Sequence, residues 1–225
     1  MFFPFKIINW TKKQYKKTTY RRIYNKYKGF TMIPKSRYIN NLALSESIKE
    51  ISGDIVECGT WKGGMVAGFA QLLGNTRSYF LFDSFEGLPQ AKSIDGQAAL
   101  EWQNNTDSPT YFNNCSANLA DAEMAMKLTG VKNHTLIKGW FEDTLTKYQP
   151  HDKGIALLHL DGDWYNSTMT CLVSLFDLVV KNGIIIIDDY YKWEGCSKAV
   201  HDYLSNKNST QRIHQFQNDI GYIKK

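Results

Sequence analysis

Two apolar runs that end on acids constrain this chain more than any other feature. Residues 157 to 168 read LLHLDGDWYNST, so that Leu157, Leu158, His159 and Leu160 give way to Asp161, Gly162, Asp163 and two large aromatics, Trp164 and Tyr165. Residues 183 to 189 read GIIIIDD, a second apolar run that stops on Asp188 and Asp189. Near-continuous Ile/Leu runs suit strands buried on both faces, as in parallel sheets covered by helices. A bare carboxylate is costly to bury unless it is paired or holds a metal. The acids therefore belong at strand tips, where a partner can neutralise them.

The rest of the chain repeats the alternation. Strand-like segments fall at 55–58, 78–83, 134–139 and 155–161, with the 183–189 run after them. Helical spacing marks 35–50, 65–74, 116–128, the short 141–148, 167–180 and 194–206, and 212–225 reads as a terminal hairpin. Residues 90–114 are polar and receive no assignment. Alternating strands and helices predict an α/β fold, with a mostly parallel sheet, helices on both faces and a C-terminal antiparallel hairpin. In such sheets ligands lie beyond the carboxyl ends of the strands. Glu57, Asp83, Asp161, Asp163, Asp188 and Asp189 all fall there.

With 225 residues, one domain needs no disulfide staples. The four cysteines, Cys58, Cys115, Cys171 and Cys196, lack metal-type spacing and read as free thiols of a reducing, cytoplasmic setting. The opening MFFPFKIINW is too short for a membrane span and has no small-residue cleavage site after it. The net charge of +5 is concentrated at the front: residues 6 to 28 carry nine Lys and Arg and no Asp or Glu. Residues 1–30 therefore read as a basic, aromatic leader before a single domain, 31–225. The leader is either a solvated tail or a surface for something acidic, including a peripheral membrane contact that would use Phe2, Phe3, Phe5, Ile7 and Ile8.

Two constellations carry chemistry. In VECGTWKGG a strand leads through Gly59, Gly63 and Gly64 into a helix, a turn that lets a ligand approach the backbone. Asp83 ends the next strand, where an acid can take both hydroxyls of a ribose. An acid before the glycines, Glu57, repels a pyrophosphate and suits a cationic ligand such as S-adenosylmethionine. The second constellation is the acid set: Asp161 is separated from Asp188 and Asp189 by one strand–helix–strand length, so the tips meet at one edge. Hard carboxylate oxygens there suit Mg²⁺ or a similar divalent ion. Asp163 is then a base toward an acceptor hydroxyl or, alternatively, an N-cap of the following helix. His159 reads as a core residue and His201 as a surface or packing residue. Trp164, Tyr165, Tyr190, Tyr191 and Trp193 could stack on a sugar or pack the core.

VECGTWKGG, LFDSFEGLP, LHLDGDWYNST and IIIDDYYKWEGCSKAVHDYL together resemble the macrocin O-methyltransferase family, over a stretch from about Thr31 to Ala199 and beyond. The resemblance implies a Rossmann-like class I methyltransferase fold and a metal-dependent, S-adenosylmethionine-dependent enzyme that methylates sugar hydroxyls. It implies Asp161, Asp188 and Asp189 as metal ligands and Asp163 as general base. Glu57, Gly59, Thr60, Asp83 and Ser84 would bind the cofactor, with Trp140 and Phe141 beside its adenine and residues 31–38 as a substrate-side lid. The leader and residues 90–114 depart from the family pattern. The expected acceptor is a small molecule or glycan, not nucleic acid: a sugar of a surface polysaccharide, a lipid-linked glycan or a nucleotide-sugar. A homo-oligomer is compatible with this reading. Its rivals are a catechol-type methyltransferase and a non-catalytic S-adenosylmethionine-binding scaffold.

Overall fold

Alternate strand residues face opposite sides of one sheet, and each side has its own apolar core. In the computed structural model, which describes residues 4–225 with side chains from Lys16 onward, the strands are β1 (Asp54–Cys58), β2 (Tyr79–Asp83), β3 (His134–Lys138), β4 (Ile155–Leu160), β5 (Val179–Ile187), β6 (Ile213–Phe216) and β7 (Ile220–Lys224). Val56, Cys58, Phe80, Phe82, Leu158, Leu160, Ile185 and Ile187 pack on one face. Ile55, Tyr79, Leu81, Leu157, Ile184 and Ile186 pack on the other. Fully burying an Ile, Leu or Phe side chain contributes roughly 1.5–3 kcal/mol, which makes the sheet the stable frame of the molecule.

The helices are α1 (Pro4–Tyr27), α2 (Lys35–Ser45), α3 (Gly64–Leu73), α4 (Gln97–Asn104), α5 (Leu119–Thr129), α6 (Phe141–Thr144), α7 (Tyr165–Leu175) and α8 (Glu194–Asn206). Buried residues of α1, α2, α3 and α5 join one core, and those of α4, α7 and α8 the other. The sheet order is β3-β2-β1-β4-β5-β7-β6. The first five strands are parallel, β7 runs antiparallel to β5, and β6 antiparallel to β7. The α/β class, the mostly parallel sheet and the terminal hairpin are as the sequence predicts. Strand order reverses between β1 and β4, the point at which such sheets open a crevice.

The ladder continues past the strand ends. The amide of Gly139 donates to the Asp83 carbonyl at 2.9 Å, Gly59 to Phe82 at 2.9 Å, Asp161 to Cys58 at 2.8 Å and Asp188 to Leu160 at 2.9 Å. Four tip residues are thus held at fixed heights by neighbouring strands.

The structure corrects several boundaries. The helix expected over 167–180 ends at Leu175, and after one 3-10 turn, Phe176–Leu178, the chain is already strand at Val179. Val179 pairs with Ile155, while Leu157 pairs with Ile184, so an irregularity in β5 takes up the intervening residues and hides the strand's true start. The helix expected over 35–50 stops at Ser45 and closes in a 3-10 turn, Glu46–Ile48. Within the unassigned 90–114 lies α4. The basic leader is helical from Pro4 and buries Tyr20, Ile23 and Tyr27 against α2 and α3. The side chains of Phe5, Ile7 and Ile8, and all of Phe2 and Phe3, lie outside the described residues. No described helix is long and apolar enough to cross a membrane.

Candidate active site

The turn after β1 depends on glycine. Gly59 has φ +89°, and a Cβ there would stand 1.8 Å from the Asp161 carbonyl oxygen. The tips of β1 and β4 approach so closely that only glycine fits between them. The same turn is tied to β2 by Asp83. One Asp83 oxygen, Oδ2, accepts from the Thr60 and Trp61 amides at 2.8 and 2.7 Å, and Oδ1 accepts from Phe85 at 2.6 Å. Burial raises the Asp83 pKa, and these amides oppose the shift. Ser84 Oγ donates to the Gly87 carbonyl and accepts from the Glu86 amide.

Beyond these tips opens a cavity of about 260 Å³. Gly59, Trp61, Asp83 and Ser84 line it from β1 and β2, Trp140 and Phe141 from the segment after β3, and Asp161 and Asp163 from β4. Met32 and Cys115 close its edges from segments the strands do not hold. Of the expected cofactor residues, Gly59, Asp83, Ser84, Trp140 and Phe141 reach the cavity directly. Glu57 and Thr60 lie buried beside it, and Glu57 Oε2 has no hydrogen bond of normal geometry.

Asp161, Asp163 and Asp189 form one group, each offering a carboxylate oxygen within 4.8 Å of the others. Burial first, then the facing acids, pushes the Asp161 and Asp189 carboxyls well above their usual range. Burial also raises Asp163, partly countered by Lys192 and by the Trp193 indole, whose Nε1–H donates to Asp163 Oδ1 at 2.7 Å. Asp163 has φ +56°, a left-handed conformation that few residues other than glycine adopt readily. Its amide donates to Asp189 Oδ2 at 3.2 Å. It thus sits beside Asp189 at the strand tips and also precedes α7.

Asp188 stands with different partners. Its Oδ2 accepts from Arg37 Nη1 at 3.2 Å, and its Oδ1 from Asn41 Nδ2 at 3.3 Å. His159 Nε2 lies 3.7 Å from the same Oδ1, while its Nδ1 is 3.0 Å from Glu57 Oε1. Glu57, His159, Asp188 and Arg37 therefore form one continuous row of alternating acidic and basic side chains. Burial alone would lower the His159 pKa, but the facing carboxylates of Asp188 and Glu57 raise it well above the usual value. Burial alone would raise Asp188, but His159, Arg37 and Asn41 hold it below its usual 3.8.

The strand register carried a signal for this row. Glu57, His159 and Ile186 are aligned across β1, β4 and β5, and Asp188 follows Ile186 by two residues on the same side. Arg37 and Lys192 had no such signal. Trp164 and Trp193 are core residues, in a T-shaped pair at 5.3 Å with Trp102 beside them. Tyr190 hydrogen-bonds to His201 at 2.9 Å, and Tyr191 is exposed.

The family model for macrocin-O-methyltransferase (TylF) matches residues 7–225. The chain belongs to the macrocin-O-methyltransferase family. Relatives of this TylF member include demethyldecarbamoylnovobiocin O-methyltransferase of Streptomyces niveus, 31% identical over 77% of the chain and 67% of that protein. A second is 8-demethyl-8-(2,3-dimethoxy-alpha-L-rhamnosyl)-tetracenomycin-C 4'-O-methyltransferase of Streptomyces olivaceus, 32% identical over 78% of the chain and 66% of that protein. The chain thus spans about two thirds of the length of these relatives. Among solved structures, the O-methyltransferase NovP superposes with a TM-score of 0.73 at 25% identity, covering 87% of this chain and 82% of that one. The fold is the Rossmann-like class I methyltransferase fold. Family and fold make the chain an O-methyltransferase and support S-adenosylmethionine as its methyl donor.

Proposed function

We propose that this TylF-family enzyme methylates a hydroxyl of a sugar or glycoside, with S-adenosylmethionine as donor and Mg²⁺ or a similar divalent ion as metal. The carrying observation is the convergence of Asp161, Asp163 and Asp189, of which Asp161 and Asp163 line a cavity together with Gly59, Asp83, Trp140 and Phe141. A sugar acceptor is supported by the relative named for 4'-O-methylation of a rhamnosyl-bearing tetracenomycin and by one named a mycinamicin III 3''-O-methyltransferase.

The donor set fits a hard divalent ion. Three clustered carboxylates with raised pKa values lack sufficient positive charge, and all-oxygen ligation suits Mg²⁺. Asp161 and Asp189 would hold it with Asp163 close by, and Asp188 would join only by turning away from Arg37 and Asn41. When bound, the ion supplies Lewis acidity toward an acceptor oxygen, and the donor supplies a sulfonium methyl.

The protein's own groups supply the rest. Trp193 occupies Asp163 Oδ1 and leaves Oδ2 to receive the acceptor proton. The alternating row Glu57–His159–Asp188–Arg37 holds Asp188, the chain neighbour of Asp189, in place. Trp140 and Phe141 shield one side of the cavity from water, which strengthens the electrostatics inside it.

The test is methyl transfer from S-adenosylmethionine to rhamnosides, nucleotide-sugars and catechols, with and without EDTA. Turnover on a sugar that EDTA abolishes and Mg²⁺ restores is the expected result. Full activity in EDTA would remove the metal from the reading, and turnover on catechols alone would replace the acceptor class. Donor binding without turnover on any acceptor would point to a scaffold.

A further inference from the structure

The outward side of α1 carries charge that nothing else in the domain answers. Tyr20, Ile23 and Tyr27 turn inward. Lys17, Arg21 and Tyr24 follow one another at i, i+4 and i+7, a single stripe along α1, and Lys28 opens the 3-10 turn that follows it. Lys35, at the start of α2, extends the stripe: its Nζ lies 5.6 Å from the Tyr24 ring centroid. Lys17, Arg21, Lys28 and Lys35 are all exposed, with Arg22 exposed on the flank.

Other basic residues of α1 have partners within the domain. Lys16 pairs with Glu46, and Lys26 bonds to Gln71 Oε1 and the Leu128 carbonyl. The stripe residues form no ion pair with any described residue, and the chain has no acid before Glu46. Lys17 and Arg21, like charges at i, i+4, repel mildly along α1, and an anionic surface outside the molecule would offset that repulsion.

We infer that the basic surface formed by Lys17 and Arg21 of α1, Lys28 of the following turn and Lys35 of α2 docks the enzyme on an anionic lipid bilayer. Basic residues ranged along a helix are drawn to the negative surface potential of such a membrane. The sequence at the start of the chain, MFFPFKIINW, adds what a charge-only partner would not use: apolar and aromatic residues suited to the headgroup boundary. A nucleic acid would satisfy the lysines and arginines but not this segment. From α1 the chain passes through Lys28–Phe30 to Met32 at the cavity edge, so a docked α1 lies next to the cavity in sequence.

The test is co-sedimentation of the full chain with vesicles of phosphatidylcholine plus phosphatidylserine, against phosphatidylcholine alone, at low and high salt. Binding should require phosphatidylserine and weaken with salt. Each basic residue contributes about five-fold to partitioning, so K17Q/R21Q/K28Q/K35Q should bind at least ~100-fold less, with unchanged circular dichroism and Tm. The half-variants K17Q/R21Q and K28Q/K35Q, each expected to lose about 25-fold, serve should the quadruple variant misfold. A control with the same charge loss elsewhere, K127Q/K132Q/K153Q/K181Q, should bind as wild type. Equal loss in the control, equal binding to phosphatidylcholine alone, or no binding would overturn the inference. Displacement from vesicles by tRNA at equal phosphate concentration would overturn it in favour of a nucleic-acid partner.

Discussion

The Trp193 indole donates to the Asp163 carboxylate, with Nε1 2.7 Å from Oδ1. Asp163 adopts φ +56°, and this hydrogen bond fixes the direction of its carboxylate. Replacing Trp193 with Phe keeps the aromatic packing and removes the donor. An unmet buried hydrogen bond costs about 1–3 kcal/mol. The expected outcome is a kcat reduced about tenfold or more, with KM for the donor little changed, measured by steady-state kinetics beside a thermal melt.

Asp163→Asn is the sharper test of the proton acceptor. Asn tolerates the left-handed conformation and keeps the shape, so the fold should hold. Loss of general-base catalysis costs typically 10²–10⁴-fold. An activity within twofold of wild type would exclude Asp163 from proton transfer.

Adjacent acids should behave in opposite ways. Asp189→Asn removes one of three crowded carboxylates, so Tm in chelator should hold or rise while Mg²⁺ affinity falls at least about tenfold. Asp188→Asn takes away the carboxylate that Arg37 pairs with and that His159 faces. Breaking a buried pair costs about 3–5 kcal/mol, so this variant should melt well below wild type, whether or not metal is present. Calorimetric Mg²⁺ titration and melts in EDTA distinguish the two.

Stability without metal should fall as pH rises. Asp161 and Asp189 titrate above their unfolded value of 3.8, so the folded state binds more protons than the unfolded chain from about pH 4 upward. His159 also titrates above its unfolded value of 6.5; its contribution is complete below that pH and is lost as pH rises through its folded value. Both effects act in the same direction. Melts in EDTA should therefore drop from pH 4 through neutrality and beyond, and saturating Mg²⁺ should flatten the carboxylate part of the decline.

Gly59→Ala should be among the most damaging small substitutions. Its Cβ would meet the Asp161 carbonyl at 1.8 Å, at a φ of +89°. Relief requires the β1 and β4 tips to part, moving Asp161 with them. Donor binding should be lost before the rest of the sheet melts, as read by equilibrium dialysis with labelled S-adenosylmethionine.

Much of this was legible because buried strands and acids leave different marks in a sequence. An apolar run closing on a carboxylate located β2, β4 and β5, and the glycines of residues 59–64 located the turn after β1. What local pattern could not give was which of two neighbouring acids joins Asp161 and Asp163. That depends on long-range partners: Arg37 and Asn41 from α2, and His159 from the adjacent strand. Residues 90–114 were opaque for a related reason, and the helix expected from 116 starts at Leu119. They are held by contacts distant in sequence, such as Gln103 Oε1 accepting from the Ala91 amide and Asn114 Nδ2 donating to the Leu88 carbonyl. Four successive residues there, Phe112 to Cys115, have positive φ, which no periodicity announces. The start of β5 was lost to its irregular pairing, and Val179 read as helix.

The amide bonds that tie Gly59, Gly139, Asp161 and Asp188 to neighbouring strands divide this enzyme into a fixed floor and an exchangeable roof. Insertions or rewritten turns around Met32 and Cys115 leave those anchors untouched. A lineage can therefore refit the upper walls for a new substrate while the reactive groups keep their spacing.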